Sequence, residues 1–374
     1  MHYHIILTER CNSHCKYCYE KSMKEFDNGL KEKFDFDLNV PCDSIVRGSK
    51  IAEFLKDGDI LIFYGGEPLV NFAKMKEIID EIVKSKKKIN FCMQTNGKLL
   101  NEIPLIYVKR ISKMLVSIDG DRIRTNNNRG WETYNLVLNN LIELREKGYG
   151  GEIVARMTLS FPDIFEQVNH LVGLIEKKIF DSIHWQIDAG FYKFDFNKKE
   201  FKRFVREYNK SIELLLDFWI DYMKKNKKVL KLYPFLGIFD SLYYNKKMKL
   251  QCGSGYANYT ISTDGKLIAC PIMGGIKNFY CGDLNKHEEN LKEIHVIEPC
   301  TSCKHLDICG GRCLYSNYAK LWPEEGQRLI CKTIQHLIDE IGERIPKIKE
   351  LIEKKIVSEE DFEFERYFGP EIIP

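Results

Sequence analysis

The sequence lacks any long hydrophobic run and any strong excess of charge of one sign. No apolar stretch approaches the roughly 18 residues that a membrane-spanning helix needs, and the amino terminus, Met1-His2-Tyr3-His4, has no signal-peptide pattern. The formal net charge of +3 over 374 residues is too small to indicate nucleic-acid binding. These absences predict a cytoplasmic protein whose partners include neither a membrane nor a nucleic acid.

The 13 cysteines lack the spacing of a disulfide-stapled secreted protein. Their number is odd, and pairs such as Cys300-x2-Cys303 are too close in sequence for such a framework and suit metal ligation better. No internal repeat or low-complexity segment is present either. With 44% hydrophobic residues, the chain is long enough for one large core and a smaller one.

Short apolar runs alternate with longer helical patterns from residue 1 to about residue 230, in the rhythm of repeated β-α units. The predicted strands cover 2–8, 59–64, 88–94, 113–118, 151–158 and 181–187. The predicted helices cover 43–56, 70–86, 100–110, 131–147, 164–178 and 197–226. Six such units predict an α/β fold, a partial (β/α)6 parallel barrel or parallel sheet whose chemistry collects at the carboxyl ends of the strands.

The pattern changes after residue 240. Segments rich in glycine and cysteine run from Cys252 to Cys331, where we expect bound metal to replace part of the hydrophobic core. Helical spacing returns over 332–353, and we expect this helix to pack back on the body rather than bind a partner. The predicted units are therefore a barrel over 1–240, a small cysteine-rich domain over 241–335, and a helix and tail over 336–374.

Three cysteines follow the first predicted strand, Cys11, Cys15 and Cys18 in the spacing Cys-x3-Cys-x2-Cys. Three thiolates can hold three irons of a [4Fe-4S] cluster and leave the fourth iron open to another ligand. The second strand ends in Gly65-Gly66-Glu67-Pro68, where the glycines allow a ligand to approach the main chain closely. A strand-to-helix turn with proline at its first helical position is the alternative, and beside the cysteines Glu67 is a candidate clamp for an ammonium group.

These two motifs, with Tyr17 before the third cysteine, resemble the radical S-adenosylmethionine (SAM) superfamily over residues 1 to about 230. The resemblance implies that the open iron binds the methionine amine and carboxylate of SAM. It also implies that an electron from the cluster cleaves SAM to a 5′-deoxyadenosyl radical, which takes hydrogen from the substrate. An external electron donor such as ferredoxin or flavodoxin is implied as a partner.

The same resemblance implies SAM contacts at the later strand ends. Ser117 and Asp119 resemble ribose and carboxylate contacts, and Arg129 stands where related enzymes place an arginine that meets the methionine carboxylate. The His-Asp pair often found before that arginine is here Thr125-Asn126. Gln186 either contacts the nucleoside or simply faces the barrel interior. The implied cofactor-binding residues are Tyr17, Gly65, Gly66, Glu67, Gln94, Asn96, Ser117, Asp119, Arg129 and Gln186.

The second cysteine pattern, from Cys252 onward, resembles the SPASM domain of peptide-modifying radical enzymes, which holds two auxiliary [4Fe-4S] clusters. The resemblance implies an outer cluster on Cys300, Cys303, Cys309 and Cys331, and an inner one on Cys252, Cys270 and Cys313, giving three clusters in all. A zinc ribbon is the alternative metal site. Because relatives have one more inner cysteine, either an inner iron is open or Cys281 closes the site, unless Cys281 is a buried free thiol.

The residue after Cys270 bears on the reaction. Sulfatase-maturing relatives carry an aspartate there as proton acceptor, whereas this chain has Pro271, which argues against oxidation to formylglycine. Asp188, Asp195 or Glu20 could accept a proton instead, but the sequence does not choose among them and leaves the catalytic residue unknown.

The pattern as a whole predicts a radical SAM enzyme that acts on a side chain of a peptide or protein and leaves a crosslinked or oxidised residue. The alternatives are decarboxylation of a small molecule such as a tetrapyrrole, and a non-catalytic iron-sulfur electron carrier, which Gly65-Gly66-Glu67-Pro68 opposes. Only ten residues precede Cys11. We therefore expect no amino-terminal peptide-recognition domain, so that leader binding needs a separate protein or another surface. The aromatic loop 191–196 is one candidate surface, although a packed edge is the favoured interpretation.

Overall fold

A computed structural model describes residues 1–18, 30, 33–284 and 290–367. Glu20 and most of the polar segment that follows the first cysteine motif lie outside the described residues. Among the helices that are described, none is both long and apolar enough to cross a membrane.

One sheet of nine strands organises the molecule. In chain order, the strands are β1 His2–Ile6, β2 Ile60–Tyr64, β3 Asn90–Thr95, β4 Ile111–Ser117, β5 Glu152–Leu159, β6 Ser182–Ile187, β7 Asn258–Ile261, β8 Lys266–Ile268 and β9 Tyr280–Asp283. Their order across the sheet is β6-β5-β4-β3-β2-β1-β7-β8-β9. The strands β1 to β7 pair in parallel, while β8 pairs antiparallel with β7 and β9. The α/β fold and the six predicted parallel strands are confirmed, and β7 extends them across β1.

Among the described residues, eight α-helices lie between successive parallel strands and three follow β9. They are α1 Gly48–Phe54, α2 Phe72–Ser85, α3 Leu105–Val108, α4 Arg122–Arg129, α5 Thr133–Glu146, α6 Ile164–Glu176, α7 Lys198–Asn226, α8 Tyr233–Tyr243, α9 Leu306–Cys309, α10 Leu314–Ala319 and α11 Glu324–Glu353. The main hydrophobic core lies between these helices and the sheet.

The helix predicted over 100–110 is wrong. The chain forms a 3-10 turn over Leu100–Glu102 and the single turn of α3, with Ile103 in an extended conformation between them. The cause is Pro104, because a residue that precedes proline is pushed out of the helical region. The helices α4 and α8 were not predicted from the sequence.

The strand side chains that face away from the helices form a second, small core inside the curved sheet. Its members are Ile60, Ile62, Cys92, Leu115, Val154 and Tyr233. Cys92 is fully buried there, as predicted for a small hydrophobic residue, whereas Cys42 is exposed. Below this core, the Lys113 ammonium group lies 2.7 Å from Glu365 and 3.1 Å from Glu152, so the carboxyl-terminal tail covers the amino ends of the strands.

The carboxyl-terminal helix α11 packs along α7, which confirms that it returns to the body. Arg344 pairs with Asp217 of α7 at 2.9 Å, and Lys198 at the start of α7 pairs with Glu325 at 2.8 Å. The helix begins at Glu324, eight residues before the predicted start at residue 332. Cys331 therefore lies on its second turn.

Candidate active site

The loop after β1 carries Cys11, Cys15 and Cys18 to the carboxyl ends of the parallel strands. The backbone N–H of Cys18 donates to the Cys15 carbonyl at 3.1 Å and closes a turn, and the N–H of Lys16 donates to the Asn128 carbonyl at 3.0 Å. All three thiols are partly exposed. Burial raises the pKa of Cys11 to about 11, and nearby Glu67, Cys15 and Cys18 shift it in the same direction. Three neighbouring thiols that remain accessible fit the ligand set of a cluster, which would hold them as thiolates.

The two glycines after β2 brace this loop. A Cβ atom on Gly65 would lie 2.2 Å from the Thr8 carbonyl oxygen, and one on Gly66 would lie 2.5 Å from the Arg10 oxygen. The N–H groups of Gly66 and Glu67 donate to those same two carbonyls at 2.9 Å. The close approach that requires glycine is thus made by the chain that leads into Cys11, and the opposite side of Gly66 is exposed.

Glu67 is fully buried and serves as an acceptor for protein donors. Its carboxylate accepts from the Thr95 hydroxyl at 2.7 Å, the Asn96 N–H at 2.6 Å and the Leu69 N–H at 3.2 Å. Burial raises its pKa to about 7, although these hydrogen bonds act in the opposite direction. The contact with Leu69 caps a 3-10 helix that begins at Pro68. This is the strand-to-helix turn that the sequence offered as the alternative to a ligand site. This geometry gives no support to Glu67 as an ammonium clamp.

Asn96 links the end of β3 to the cysteine loop. Its side-chain amide donates to Asn12 Oδ1 at 2.6 Å and lies 3.8 Å from Cys11 Sγ. The carboxylate of Glu67, which receives the Asn96 backbone N–H, therefore positions the first cysteine through one intermediate residue. Gln94, two residues earlier, has a buried side-chain oxygen with no hydrogen-bond partner in the described structure.

The Asp119 carboxylate joins four segments around the same loop. It accepts from Arg129 Nε at 3.1 Å and Nη2 at 2.9 Å, from Asn128 at 3.2 Å, from the Thr158 N–H at 3.0 Å, and from the Tyr17 hydroxyl. Arg129 is buried, yet its pKa is raised because Asp119 outweighs the effect of burial. Asp119 therefore binds protein groups and positions Arg129. The sequence analysis named both residues as SAM contacts but did not predict that they pair with each other.

Ser117 belongs to a polar row inside the curved sheet. In the strand register it lies opposite Arg156 of β5, which lies opposite His184 of β6. Arg156 donates to the predicted contact Gln186 at 2.6 Å, and the Gln186 amide lies 3.4 Å from the Thr158 hydroxyl. Gln186 thus faces the interior of the sheet, which is one of the two positions that the sequence analysis proposed for it. The sequence analysis did not identify Arg156 or His184. Neither residue belongs to a recognisable motif, and only the alternation of side chains along β5 and β6 indicates that they face inward.

The four cysteines of the proposed outer cluster lie close to one another. Burial raises the pKa of Cys300 to about 11, with further effects from Cys331 and Cys303, and raises that of Cys309 to about 12, with effects from Cys300 and Cys331. Asn317 donates to Cys300 Sγ at 3.3 Å, and the backbone N–H groups of Gly311 and Arg312 approach Cys309. Four thiols with N–H donors around them fit an iron-sulfur ligand set.

The inner cysteines are buried in the cysteine-rich region. Cys252 lies 3.3 Å from the Ser254 hydroxyl, Cys270 follows β8 near Tyr64, and Cys313 directly precedes α10. Cys281 instead donates to the Phe279 carbonyl at 3.5 Å and neighbours Tyr259. Burial raises the pKa of Cys281 to about 12, although the nearby Lys292 acts to lower it. Its surroundings are those of a buried thiol.

The aromatic loop after β6 is a packed edge, as the favoured interpretation held. Phe191 and Tyr192 are buried, while Phe194 is exposed. The Tyr192 hydroxyl donates to the Tyr17 carbonyl, and the Trp322 indole donates to the Tyr192 carbonyl at 2.7 Å. The loop therefore ties the first cysteine loop to the segment that precedes α11.

Of the three candidate proton acceptors, Asp188 and Asp195 belong to the described residues and Glu20 does not. Asp188 accepts from the Ser160 hydroxyl at 3.2 Å at the carboxyl end of β6, and Asp195 is exposed. A groove lined by Arg145, Phe180 and Lys228, among others, opens at the amino ends of β5 and β6.

Comparisons with known proteins agree with this geometry. Residues 5–175 match the family model described as Radical SAM superfamily. The chain is 23% identical over 335 residues to the radical SAM cyclopropyl synthase TigE of Paramaledivibacter caminithermalis, covering 83% of this chain and 67% of that protein. It is also 23% identical over 328 residues to the antilisterial bacteriocin subtilosin biosynthesis protein AlbA of Bacillus subtilis, covering 83% of this chain and 64% of that protein. The chain thus spans about two thirds of the length of these two relatives.

Two solved structures share the fold. The structure of anSMEcpe with bound AdoMet superposes with a TM-score of 0.65 at 18% identity, covering 94% of this chain and 99% of that one. Streptococcus suis SuiB bound to the precursor peptide SuiA superposes with a TM-score of 0.55 at 17% identity, covering 87% of this chain and 74% of that one. At these identities the likeness concerns the fold alone.

Proposed function

We propose that this chain, whose residues 5–175 match the Radical SAM superfamily, takes hydrogen from a side chain of a peptide or protein and leaves a crosslinked or oxidised residue. The observation that carries the proposal is that the chain has, in addition to the N-terminal three-cysteine loop, a second group of neighbouring cysteines, Cys300, Cys303, Cys309 and Cys331. Additional clusters offer a path for the electron that such an oxidation releases. SuiB, which shares the fold, was solved with a precursor peptide bound.

The first site would be built on Cys11, Cys15 and Cys18. A [4Fe-4S] cluster held by these three cysteines would supply the electron for the reductive cleavage of SAM. Residues of this chain position that site. Gly65 and Gly66 allow the cysteine loop to lie against the end of β2, and the Asn96 side-chain amide contacts Cys11 and Asn12. Arg129, oriented by Asp119, and Ser117 are the groups that would meet the charged and polar parts of SAM.

The second region would hold two auxiliary clusters, on the four outer cysteines and on Cys252, Cys270 and Cys313. The inner set would then have three cysteines, since Cys281 interacts with Phe279, Tyr259 and Lys292 instead. An external donor such as ferredoxin or flavodoxin would reduce the first cluster, and a separate protein is the proposed source of leader binding.

Anaerobic reconstitution tests the catalytic part of the proposal. With dithionite and SAM, the protein should release 5′-deoxyadenosine. The triple variant Cys11→Ala, Cys15→Ala and Cys18→Ala should release none, yet keep roughly two thirds of its iron if three four-iron clusters are present. Cys42→Ala is the matched control, because Cys42 is exposed and has no metal spacing. Failure of the wild type to cleave SAM would leave the electron-carrier alternative.

A second experiment tests the substrate class. Candidate peptides encoded beside this chain and a porphyrin such as coproporphyrin are incubated with the reduced enzyme and SAM, and products are identified by mass spectrometry. Loss of two hydrogen atoms from a peptide supports the proposal. Loss of carbon dioxide from the porphyrin, with every peptide unchanged, would establish the small-molecule alternative instead.

A further inference from the structure

One of the four tryptophans of this chain lies on the surface. Trp131 is 84% exposed, whereas Trp185, Trp219 and Trp322 are buried. It lies between α4 and α5, and its side chain has no hydrogen-bond, ring or cation partner among the described residues. Tryptophan is one of the residues that most often dominate the binding energy of protein interfaces. An exposed ring of this kind is therefore a candidate contact for a partner protein.

Trp131 is close to the first cysteine loop. The backbone N–H of Lys16, between the second and third cysteines, donates to the carbonyl of Asn128 in the last turn of α4 at 3.0 Å. Trp131 follows Asn128 by three residues, so their Cα atoms are at most about 11 Å apart. The three thiols of the loop are partly exposed. A protein that covers Trp131 would therefore also lie against the loop that is proposed to hold the first cluster.

Two lysines make the surroundings of Trp131 positively charged. Lys16 is exposed, and the Nζ atom of the partly exposed Lys98 lies 3.4 Å from the carbonyl two residues before Trp131. Neither lysine has an ion-pair partner within the part of the chain that the structure describes. The adjacent acid, Glu132, is neutralised by Arg122 at 3.2 Å. Trp131, Lys16 and Lys98 thus form one patch, the Trp131 surface, in which an aromatic ring lies between two unpaired cations.

We propose that the Trp131 surface is the docking site of the protein that reduces the first cluster, and that this protein is an acidic one-electron carrier. The inference rests on the proposed function and specifies the partner of the first site. Electron transfer slows steeply with distance, so the donor has to bind beside the loop of Cys11, Cys15 and Cys18. Unpaired lysines attract an acidic partner and set its orientation, while a central aromatic ring supplies binding energy.

The electrons balance with a flavodoxin as the donor. Its anionic flavin hydroquinone loses one electron and becomes the neutral semiquinone, and that electron passes to the cluster on the three cysteines. A second copy of this chain is a poorer occupant of the Trp131 surface. In a two-fold dimer the same patch meets itself, so Lys16 and Lys98 would face their own positive charges.

A comparison of two reductants tests the inference. The reconstituted enzyme with SAM is reduced either by dithionite or by photoreduced flavodoxin, and release of 5′-deoxyadenosine is measured. Trp131→Ala should raise the KM for flavodoxin about tenfold or more, as for loss of a central aromatic contact. The dithionite-driven rate should not change, because a small ion needs no docking surface. Lys16→Gln should raise the same KM about threefold, since an exposed charge contributes less.

Binding without turnover supplies an independent measurement. Calorimetric titration of the reconstituted enzyme with oxidised flavodoxin, in the absence of SAM, should show the same loss of affinity in Trp131→Ala. The affinity of the wild type should fall between about 20 and about 200 mM salt, as expected for opposite charges. Ile106→Ala and Lys228→Gln change exposed residues outside the Trp131 surface and are the controls, which should match the wild type.

The outcomes separate this inference from the proposed function. An unchanged KM for flavodoxin in Trp131→Ala, or no binding of flavodoxin to the wild type at low salt, would overturn the docking site. A dithionite-driven rate that falls together with the flavodoxin-driven rate would also overturn it, as would a loss of peptide modification while SAM cleavage is intact, which would assign the surface to the substrate. Failure of the wild type to cleave SAM with dithionite would instead refute the proposed function, and the titration would still decide whether flavodoxin binds at Trp131.

Discussion

At the residue scale, the Asp119 carboxylate connects segments that are far apart in sequence. Tyr17 lies in the cysteine loop, Asn128 and Arg129 lie in α4, and Thr158 lies in β5. The position of the arginine proposed for SAM binding thus depends on an anion that the protein supplies. Since both groups are buried, loss of the anion leaves an uncompensated charge.

We predict that Asp119→Asn disrupts the site more than its conservative size suggests. Leaving Arg129 buried without its anion should cost about 3–5 kcal/mol in the free energy of unfolding and weaken SAM binding. Urea denaturation and equilibrium binding of SAM measure the two effects. Asp121→Asn is the control, since asparagine also caps a helix and Asp121 caps α4. A stability of Asp119→Asn equal to that of Asp121→Asn would contradict the prediction.

Gly66→Ala tests the contact between the glycines and the cysteine loop. The added methyl group would lie 2.5 Å from the carbonyl oxygens of Glu9 and Arg10, so the chain before Cys11 must move. A displacement of about 1 Å in a catalytic constellation costs about 100-fold in rate, and we expect a loss of that size in SAM cleavage. Gly150→Ala, where a Cβ meets nothing within 4 Å, should cleave SAM at the wild-type rate.

At the element scale, the carboxyl-terminal tail is a structural part of the barrel. Glu365 reaches Lys113 at 2.7 Å at the amino ends of the strands, and Lys113 also meets Glu152. Burial acts to raise the pKa of Glu365, but its contacts with His2 and Lys113 dominate and lower the pKa to about 2. A carboxyl group with a depressed pKa stabilises the fold above its unfolded pKa of about 4.5 and loses that contribution as pH falls towards 2.

Glu365→Gln should therefore destabilise the protein most at neutral pH. We expect a loss of about 1–3 kcal/mol at pH 7, because one charged hydrogen bond to Lys113 is removed while Glu152 remains. The difference from wild type should shrink below pH 4.5, where Glu365 begins to gain a proton. Urea denaturation at pH 7, 5 and 4 measures this, with the exposed Glu363→Gln as control. A difference that does not change with pH would argue against the ion pair.

The sequence predicted the elements whose cause is local. Apolar runs predicted the six parallel strands, and cysteine spacing predicts the outer set of Cys300, Cys303, Cys309 and Cys331. The helix predicted over 100–110 failed because Pro104 imposes an extended residue at its centre. The pairing of Asp119 with Arg129 and the row from Ser117 to His184 arise from tertiary contacts between strands, which no periodicity along the chain encodes.

At the scale of the whole molecule, the predicted boundary at residue 240 falls inside helix α8, and the strands before and after it belong to one continuous sheet. The strand β7 pairs with β1 over His2–Ile5, and the His4 ring lies 2.9 Å from the Asn258 side chain. The cysteine-rich region is therefore hydrogen-bonded to the strand that leads into Cys11. This pairing was not predicted, because β7 has only four residues and its apolar pattern is too short to indicate a strand.

A chain truncated after residue 240 should not form a stable barrel. It would leave the β1 edge unpaired and would lack the tail that neutralises Lys113, and exposed strand edges promote aggregation. We expect insoluble protein or loss of a cooperative thermal transition, measured by sedimentation and circular dichroism. A soluble 1–240 fragment with a cooperative transition would show that the barrel is an independent domain.

The pairing of β1 with β7 also has a consequence for biosynthesis. The strand β1 is translated first, but its second neighbour is made about 250 residues later. At roughly 5–20 residues per second, the ribosome needs on the order of 10–50 s to complete that pairing. During this time the strand that supports Cys11 has an open edge. We therefore expect the first cysteine loop to reach its final position only after β7 has been made and both edges of β1 are closed.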